Sequence, residues 1–426
     1  MKIAVLSYGS RGDAQPPMVL AYHLAQAGHD VRLALPGDFS GAASALGCSN
    51  FAFPFAARAV MTEGQLTTSI RRGRTVAFFR EAMQLDLARR EAMATAVISA
   101  SADADLLILP ALLEDMGLSV AERHGQRVAL AFPSPLWANS TYPHLLFSGW
   151  GLPRWLNRFT HTITELGARA LIPIINDLRV QLGLTKVRRR PSLAFRRVDP
   201  PVFYWVPEKV LPRPKEYGGN HHFTGYWGAP PAVRAALGES RPPEALVRFL
   251  AAGPPPLFVG FGSMPVLEPH IIDAVMQATQ RLGLRVVYGS GWSDLEVEES
   301  AQAIMVGDVD HEWLFPQCAA VVHHGGASTT GAAIRAGVPA VVASVFADQP
   351  FWGQRVAALG VGETFRFQHM TAERLQRAVG KAMSTVTAAA ATALAQQLGA
   401  SEDGAVTAAR MITEDGETYP IPARLA

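Results

Sequence analysis

The chain holds 426 residues, 49% of them hydrophobic and 17% charged, enough for two or three domains at roughly 100 to 200 residues each. Its 38 Lys and Arg against 36 Asp and Glu leave a formal charge of +2, too weak a field for nucleic acid to be the main partner. Two cysteines, Cys48 and Cys318, exclude a disulfide framework and a cysteine zinc site, and they fit a reducing compartment, the cytoplasm by default.

In chain order, Met1-Lys2-Ile3-Ala4-Val5-Leu6 is too short for the apolar core of a signal peptide and reads as a first strand. Apolar runs at Val31–Leu35, Leu106–Leu109 and Val128–Phe132 follow, each succeeded by a turn and a longer segment, the rhythm of a parallel sheet wrapped in helices. Between the first two, Leu20, Leu24 and Ala27 recur at i, i+4 and i+7 and Gly28 stops the helix, which makes one βαβ unit. Breakers then crowd Val206-Pro207, Leu211-Pro212-Arg213-Pro214, Gly218-Gly219 and Gly228-Ala229-Pro230-Pro231, placing an interdomain linker there. The rhythm restarts at Leu257–Phe261, Arg285–Tyr288, Ala303–Val306, Ala319–His323 and Ala340–Val345, a second parallel sheet, before an Ala-rich stretch over 385–399 and a helical segment over 404–414. The division expected is a first domain over 1–224, a linker over 225–243, a second domain over 244–400 and a helical tail over 401–426. No run of about 18 apolar residues occurs, which excludes a spanning helix and leaves peripheral membrane contact open. Ligands on such sheets sit outside the carboxyl ends of the strands, so two facing sheets imply an interdomain cleft.

Three loops carry the candidate chemistry. The first, Gly9-Ser10-Arg11-Gly12-Asp13-Ala14-Gln15-Pro16-Pro17, offers Asp13 as a base for an acceptor hydroxyl or as a helix cap. Its glycine spacing fails the dinucleotide-binding fingerprint. The second, Val321-Val322-His323-His324-Gly325-Gly326-Ala327-Ser328-Thr329-Thr330-Gly331, ends an apolar strand where a helix begins. Free N–H groups, the dipole and the Ser328 and Thr329 hydroxyls suit a diphosphate there, with His324 a further donor; capping is the plainer role for the hydroxyls. Neighbouring His residues on a strand point to opposite faces, which makes joint metal chelation awkward. The third, Phe346-Ala347-Asp348-Gln349-Pro350, offers sugar-binding donors and acceptors, or a solvated turn. Ser263, in Gly260-Phe261-Gly262-Ser263, follows another apolar strand. The pairs Asp103/Asp105 and Asp308/Asp310 resemble cation clamps and equally turns and caps. Lys186, Arg188, Arg189, Arg190, Arg196 and Arg197 form a basic cluster, read as a solvated loop or as a contact for anionic headgroups.

Taken together, Gly9 through Pro16, His311-Glu312-Trp313-Leu314-Phe315-Pro316, His323-His324-Gly325-Gly326 and Asp348-Gln349-Pro350 resemble family 1 glycosyltransferases, most closely the bacterial antibiotic-type and sterol-type glucosyltransferase branch. Phe223-Thr224-Gly225-Tyr226-Trp227 also resembles that branch. The resemblance implies an α/β GT-B fold, two Rossmann-like parallel-sheet domains facing each other across a cleft. It implies inverting transfer of a hexose from UDP-glucose or a dTDP-sugar, with Asp13 as base, no metal and no cofactor. By the same carry-over His324, Gly325, Gly326, Ser328 and Thr329 contact phosphates, with Ser263 beside them, Asp348 and Gln349 the donor sugar, and Val309 the base. Asp308 stands roughly where plant-type members have Trp, and Trp292 is the substitute. On the acceptor side Ser10 and Arg11 join Leu112, Leu113, Phe132, Trp137 and Tyr142 as candidate lining for a hydrophobic hydroxylated molecule, the plainer reading of such aromatics and leucines being core. The competing functions are a nucleotide-sugar epimerase and a catalytically silent nucleotide-sugar-binding protein.

Overall fold

Strands form where the apolar runs lie. The computed structural model describes residues 1–426 apart from 63, 240, 294–296, 400–402, 423, 424 and 426. One sheet contains β1 (Lys2–Leu6), β2 (Asp30–Pro36), β3 (Ser49–Phe53), β4 (Leu106–Leu109), β5 (Arg127–Phe132), β6 (Val202–Tyr204) and β7 (His221–Phe223) in the order β3-β2-β1-β4-β5-β6-β7. The other contains β8 (Leu257–Gly260), β9 (Val286–Gly289), β10 (Ala303–Val306), β11 (Ala320–His323), β12 (Ala340–Ser344) and β13 (Gly362–Arg366) in the order β10-β9-β8-β11-β12-β13. Every pairing between these strands is parallel. Strands β4, β8, β9, β11 and β12 are buried along their whole length, as strands covered by helices on both faces must be.

Both orders reverse direction once, between β1 and β4 and between β8 and β11. In an open α/β sheet the crevice beyond that reversal is where loops diverge and ligands bind. Register fixes which residues meet there: Val5 lies opposite Ile108 in the first sheet and His323 opposite Gly260 in the second.

Chain contacts divide the molecule into two units, Met1–Ala59 with Arg80–Leu237 and Glu402–Ala426, and Val60–Phe79 with Gly238–Ser401. This differs from an unbroken 1–224 domain followed by a separate tail. Val60–Phe79 joins the second unit because Ile70 is buried in its core, Phe78 packs on Phe346 with ring centroids 4.5 Å apart, and Arg71 pairs with Glu268 at 3.0 Å. The helix Gly404–Asp415 returns to the first unit. Its Ala405, Ala408, Ala409 and Ile412 form a buried i, i+3, i+4, i+7 stripe in that core, the spacing that aligns one helical face. Within the expected linker, Pro231 opens the helix Pro231–Ala236 and Val233 is buried in the first unit's core; proline at a helix start has no N–H to lose, so these breakers begin an element. Linker residue 240 and the expected boundary at 400/401 lie outside the described residues. Among the described residues, no helix is long and apolar enough to cross a membrane.

Candidate functional site

At the β1–β4 switch point, Ser10 caps the helix Arg11–Gln26, and Asp13, expected on a loop, is the third residue of that helix. Asp13 Oδ2 accepts from the Ser10 N–H at 2.9 Å and the Ser10 hydroxyl at 3.3 Å, while no described residue donates to Oδ1. The carboxylate thus closes the helix start with one oxygen and leaves the other unbonded. Pro16 and Pro17 lie inside this helix and lack the N–H groups that would bond the carbonyls four residues back. The buried Ser7 hydroxyl supplies the missing donor to the Asp13 carbonyl at 3.0 Å. Gly9 has φ +129°, and a Cβ there would overlap the Asp13 carboxylate, so only glycine lets the side chain fold back this way. Water reaches Asp13, yet the protein around the carboxylate withdraws enough solvent to raise its pKa to about 6, against the lowering pull of both Ser10 hydrogen bonds.

Beside it, the Tyr8 hydroxyl donates to Asp86 on the helix Thr75–Ser101 at 2.5 Å, and its ring packs on Phe55 with centroids 4.9 Å apart. Burial raises both pKa values, and the neighbouring carboxylate adds to the rise at Tyr8. No local pattern announced this pair, because its members stand 78 residues apart.

The expected acceptor lining is only partly brought to the surface. Arg11 is half-buried and Leu112 is 65% exposed, whereas Leu113 is buried. Phe132 is fully buried against Tyr204, Trp137 meets His221 edge-on with its carbonyl taken by Tyr217, and the buried Tyr142 donates its hydroxyl to the Pro212 carbonyl at 2.9 Å. All three are buried, and the Tyr142 hydroxyl is engaged within the fold, whereas Trp137 Nε1 is buried without a partner. Of the basic cluster, Lys186, Arg188, Arg189 and Arg197 are exposed, whereas Arg190 and Arg196 are half-buried and paired. Arg190 bonds Asp115 at 2.6 Å, and Arg196 bonds Glu114 at 3.4 Å and lies 5.2 Å over the Trp137 ring. Buried acids at the start of the helix Glu114–His124 draw both guanidiniums inward.

At the β8–β11 switch point, His323 ends β11 fully buried, its Nδ1 accepting from the Gly325 N–H at 3.0 Å, which leaves the ring proton on Nε2. His324 turns the other way, the two rings perpendicular with centroids 6.4 Å apart. Its imidazole is wedged between Gly262 and Gly326: a Cβ on Gly326 would come 2.6 Å from Nε2 and one on Gly262, itself at φ +54°, 3.2 Å from Cε1. Nδ1 of His324 is buried with no partner, and Nε2 bonds no described residue. Desolvation lowers the His324 pKa to about 4, so the ring is neutral at pH 7 with one N–H available. Next to it the helix Ala327–Ala336 begins on Gly326, with no side-chain cap and no acid in its first turn. Ser328 and Thr329, half-buried, occupy that turn.

The glycines also draw in the neighbouring loops. The Trp292 N–H donates to the Gly262 carbonyl at 3.1 Å, bringing the loop after β9 against the loop that holds Ser263. A Cβ on Gly325, at φ +95°, would come 2.9 Å from the Gln349 carbonyl oxygen, so the loops after β11 and β12 touch there. Ala347 has φ +53°, a strained conformation for a residue with a side chain, and it turns the chain into Asp348 and Gln349. Gln349 is buried, its Oε1 accepting from Val345 and Phe346 N–H groups at 2.8 and 3.1 Å, and Asp348 accepts from the Trp352 indole at 3.0 Å. The structure therefore gathers Ser263, Trp292, His324, Gly325, Gly326, Ser328, Thr329, Asp348 and Gln349 around contiguous strand ends. Val309 is buried in the loop after β10, and Asp310 caps the helix His311–Leu314 through the Glu312 N–H at 2.9 Å, the capping alternative for that Asp pair. Among the described residues no group of three or more His, Cys, Asp or Glu is placed to hold a metal ion.

A family profile described as the C-terminal domain of erythromycin biosynthesis protein CIII-like proteins matches residues 297–412. The vancomycin aglycone glucosyltransferase of Amycolatopsis orientalis is 31% identical over 434 residues, covering 97% of each chain. A sterol 3-beta-glucosyltransferase of Arabidopsis thaliana is 30% identical over 386 residues, 85% of this chain; the chain spans 57% of that relative's length. Among solved structures, the glycotransferase of kitacinnamycin aligns with a TM-score of 0.71 at 18% identity, covering 98% of this chain and 99% of that one, a likeness of fold.

Proposed function

The chain belongs to the family 1 glycosyltransferases, and from that premise we propose that it moves a hexose, glucose first, from UDP-glucose or a dTDP-sugar to a hydroxyl of a lipophilic acceptor. The configuration at the anomeric carbon inverts. In this reading Asp13 Oδ1 takes the acceptor proton as the acceptor oxygen bonds the anomeric carbon. The bond from that carbon to the diphosphate oxygen breaks, and its electron pair leaves with the nucleoside diphosphate. An alcohol is too weak an acid to ionise alone, and a positioned base contributes about 10² to 10⁴-fold. The pKa of about 6 at Asp13 keeps it ionised at pH 7 while making it a better proton acceptor than an ordinary carboxylate.

The observation that carries the reading is the second helix start, where an uncapped, acid-free first turn stands beside a neutral His324 fixed between two glycines. Such preorganised donors suit a leaving diphosphate, each worth about 2.7 to 4 kcal/mol in a water-poor site. Ser263, Ser328 and Thr329 add hydroxyls to the phosphates. Asp348 and the Gln349 amide nitrogen serve the sugar, and Trp292 with Val309 the base. Neither metal nor cofactor takes part in this scheme. That relatives matching most of the chain are named as glucosyltransferases favours transfer over epimerisation or silent binding.

The test is incubation with UDP- and dTDP-sugars against lipophilic alcohols and phenols, with and without EDTA, followed by mass spectrometry. A glycosylated acceptor formed in both is expected. An isomerised sugar nucleotide formed without acceptor, or binding with no product, would sink the proposal, and dependence on divalent cation would sink its metal-free form.

A further inference from the structure

The helix Asn157–Ala168 is turned inside out. Its buried residues are polar, Asn157, Thr160 and His161, and each is hydrogen-bonded inward. Asn157 Nδ2 donates to the Ser140 and Thr141 carbonyls at 3.1 and 3.0 Å, Thr160 Oγ1 accepts from the His144 N–H at 2.8 Å, and His161 Nε2 lies 3.1 Å from the Tyr142 carbonyl. Phe159, Ile163 and Leu166, at i, i+4 and i+7, are 58%, 40% and 52% exposed. Trp150 and Trp155, just ahead of them in the chain, are 64% and 79% exposed. A helix that serves only its own fold faces its apolar stripe to the core. Here the inward hydrogen bonds of Asn157, Thr160 and His161 accompany an apolar stripe that faces outward.

Along residues 150–169 the exposed charges have one sign. Arg154, Arg158 and Arg169 are exposed, and the only acid between residues 150 and 169, Glu165, lies 3.5 Å from Arg190 and 3.8 Å from Arg196. Exposed tryptophans with an apolar helical stripe and a cationic rim match the chemistry of an anionic bilayer surface, aromatic and aliphatic groups reaching the acyl boundary and guanidiniums the phosphates. A second copy of the same face would set arginines against arginines, which disfavours self-association. We infer that this face docks the protein on anionic lipid membranes. The inference goes beyond the transfer reading and is decided by binding alone, so either can fail without the other.

The experiment is flotation of the full chain with phosphatidylcholine vesicles, with and without phosphatidylglycerol, at low and high salt. The chain is expected to float with the anionic vesicles and to be largely released by salt. A Phe159→Ser/Ile163→Ser variant, whose replaced groups are exposed and whose thermal melting should match the parent, is expected to bind at least tenfold less. Arg154→Glu/Arg158→Glu should lose about fivefold or more per site and with it the preference for anionic lipid. The inference is overturned if the parent chain stays with neither vesicle, or if both variants bind as the parent does. It is equally overturned if the parent sediments as a dimer that the Ser variant splits, which makes the face a contact between copies. Loss of turnover in the Ser variant on a water-soluble acceptor without vesicles would reassign the face to the acceptor and overturn it too.

Discussion

At the β1–β4 switch point the loop leads into a helix that satisfies its own start with Ser10 and Asp13; at β8–β11 it leads into one that starts on glycine backbone. Desolvation by the surrounding protein acts in opposite directions on their titrating groups, raising Asp13, which water still reaches, to about 6 and lowering His324 to about 4. Each group is thereby moved toward its neutral form. An acid already placed in the first helix start repels a second anion there, while the second start carries no acid and attracts one. In the proposed reading one strand order thus carries a proton-accepting end and an anion-holding end, and the first-turn side chains make the difference.

The largest effect should separate the two ends. Asp13→Asn is expected to lower kcat by about 10² to 10⁴-fold while calorimetry shows UDP binding unchanged; equal turnover would remove the carboxylate from the chemistry. His324→Ala should cost about 10² to 10³-fold in kcat and also weaken UDP binding, the reverse of the Asp13 pattern in the binding assay. Gly9→Ala forces a side chain into the space of the Asp13 carboxylate at an unfavourable φ, and roughly a tenfold loss of kcat is expected from the misplaced base, with donor affinity intact. The smallest effect concerns pH. Activity of the parent should fall as pH drops through about 6, where Asp13 takes up its proton. Because the Ser10 hydroxyl donates to the ionised carboxylate, Ser10→Ala, which keeps the backbone N–H bond, should move that acid limb upward; a downward move would contradict the geometry.

Much of this was readable from local pattern. The apolar runs that became β4, β5, β8, β11 and β12 are buried in sequence-continuous blocks, and the His-Gly-Gly loop carries its chemistry within a few residues. What escaped was short, edge-bound or distant. Strands β3, β7 and β13 lie at sheet edges, and β6 has three residues, so none needed a long apolar run. The Tyr8–Asp86 pair, and the seating of Ile70 in the second unit's core, depend on contacts across many residues that no periodicity encodes. Phe132, Trp137 and Tyr142 show the converse: aromatic composition marks a place where area is buried without saying whether a ligand or the protein itself buries it.

The path of the chain has a consequence for synthesis. Backbone passes between the two units four times, with Val60–Phe79 lent to the second and Glu402–Ala426 returned to the first. A ribosome releases the amino end first, yet the groove that the Ala405–Ile412 stripe fills stays uncovered until the helix Gly404–Asp415 has been made. No single cut can separate the units intact, and fragments ending before that stripe should emerge greasy on one face and prone to aggregate.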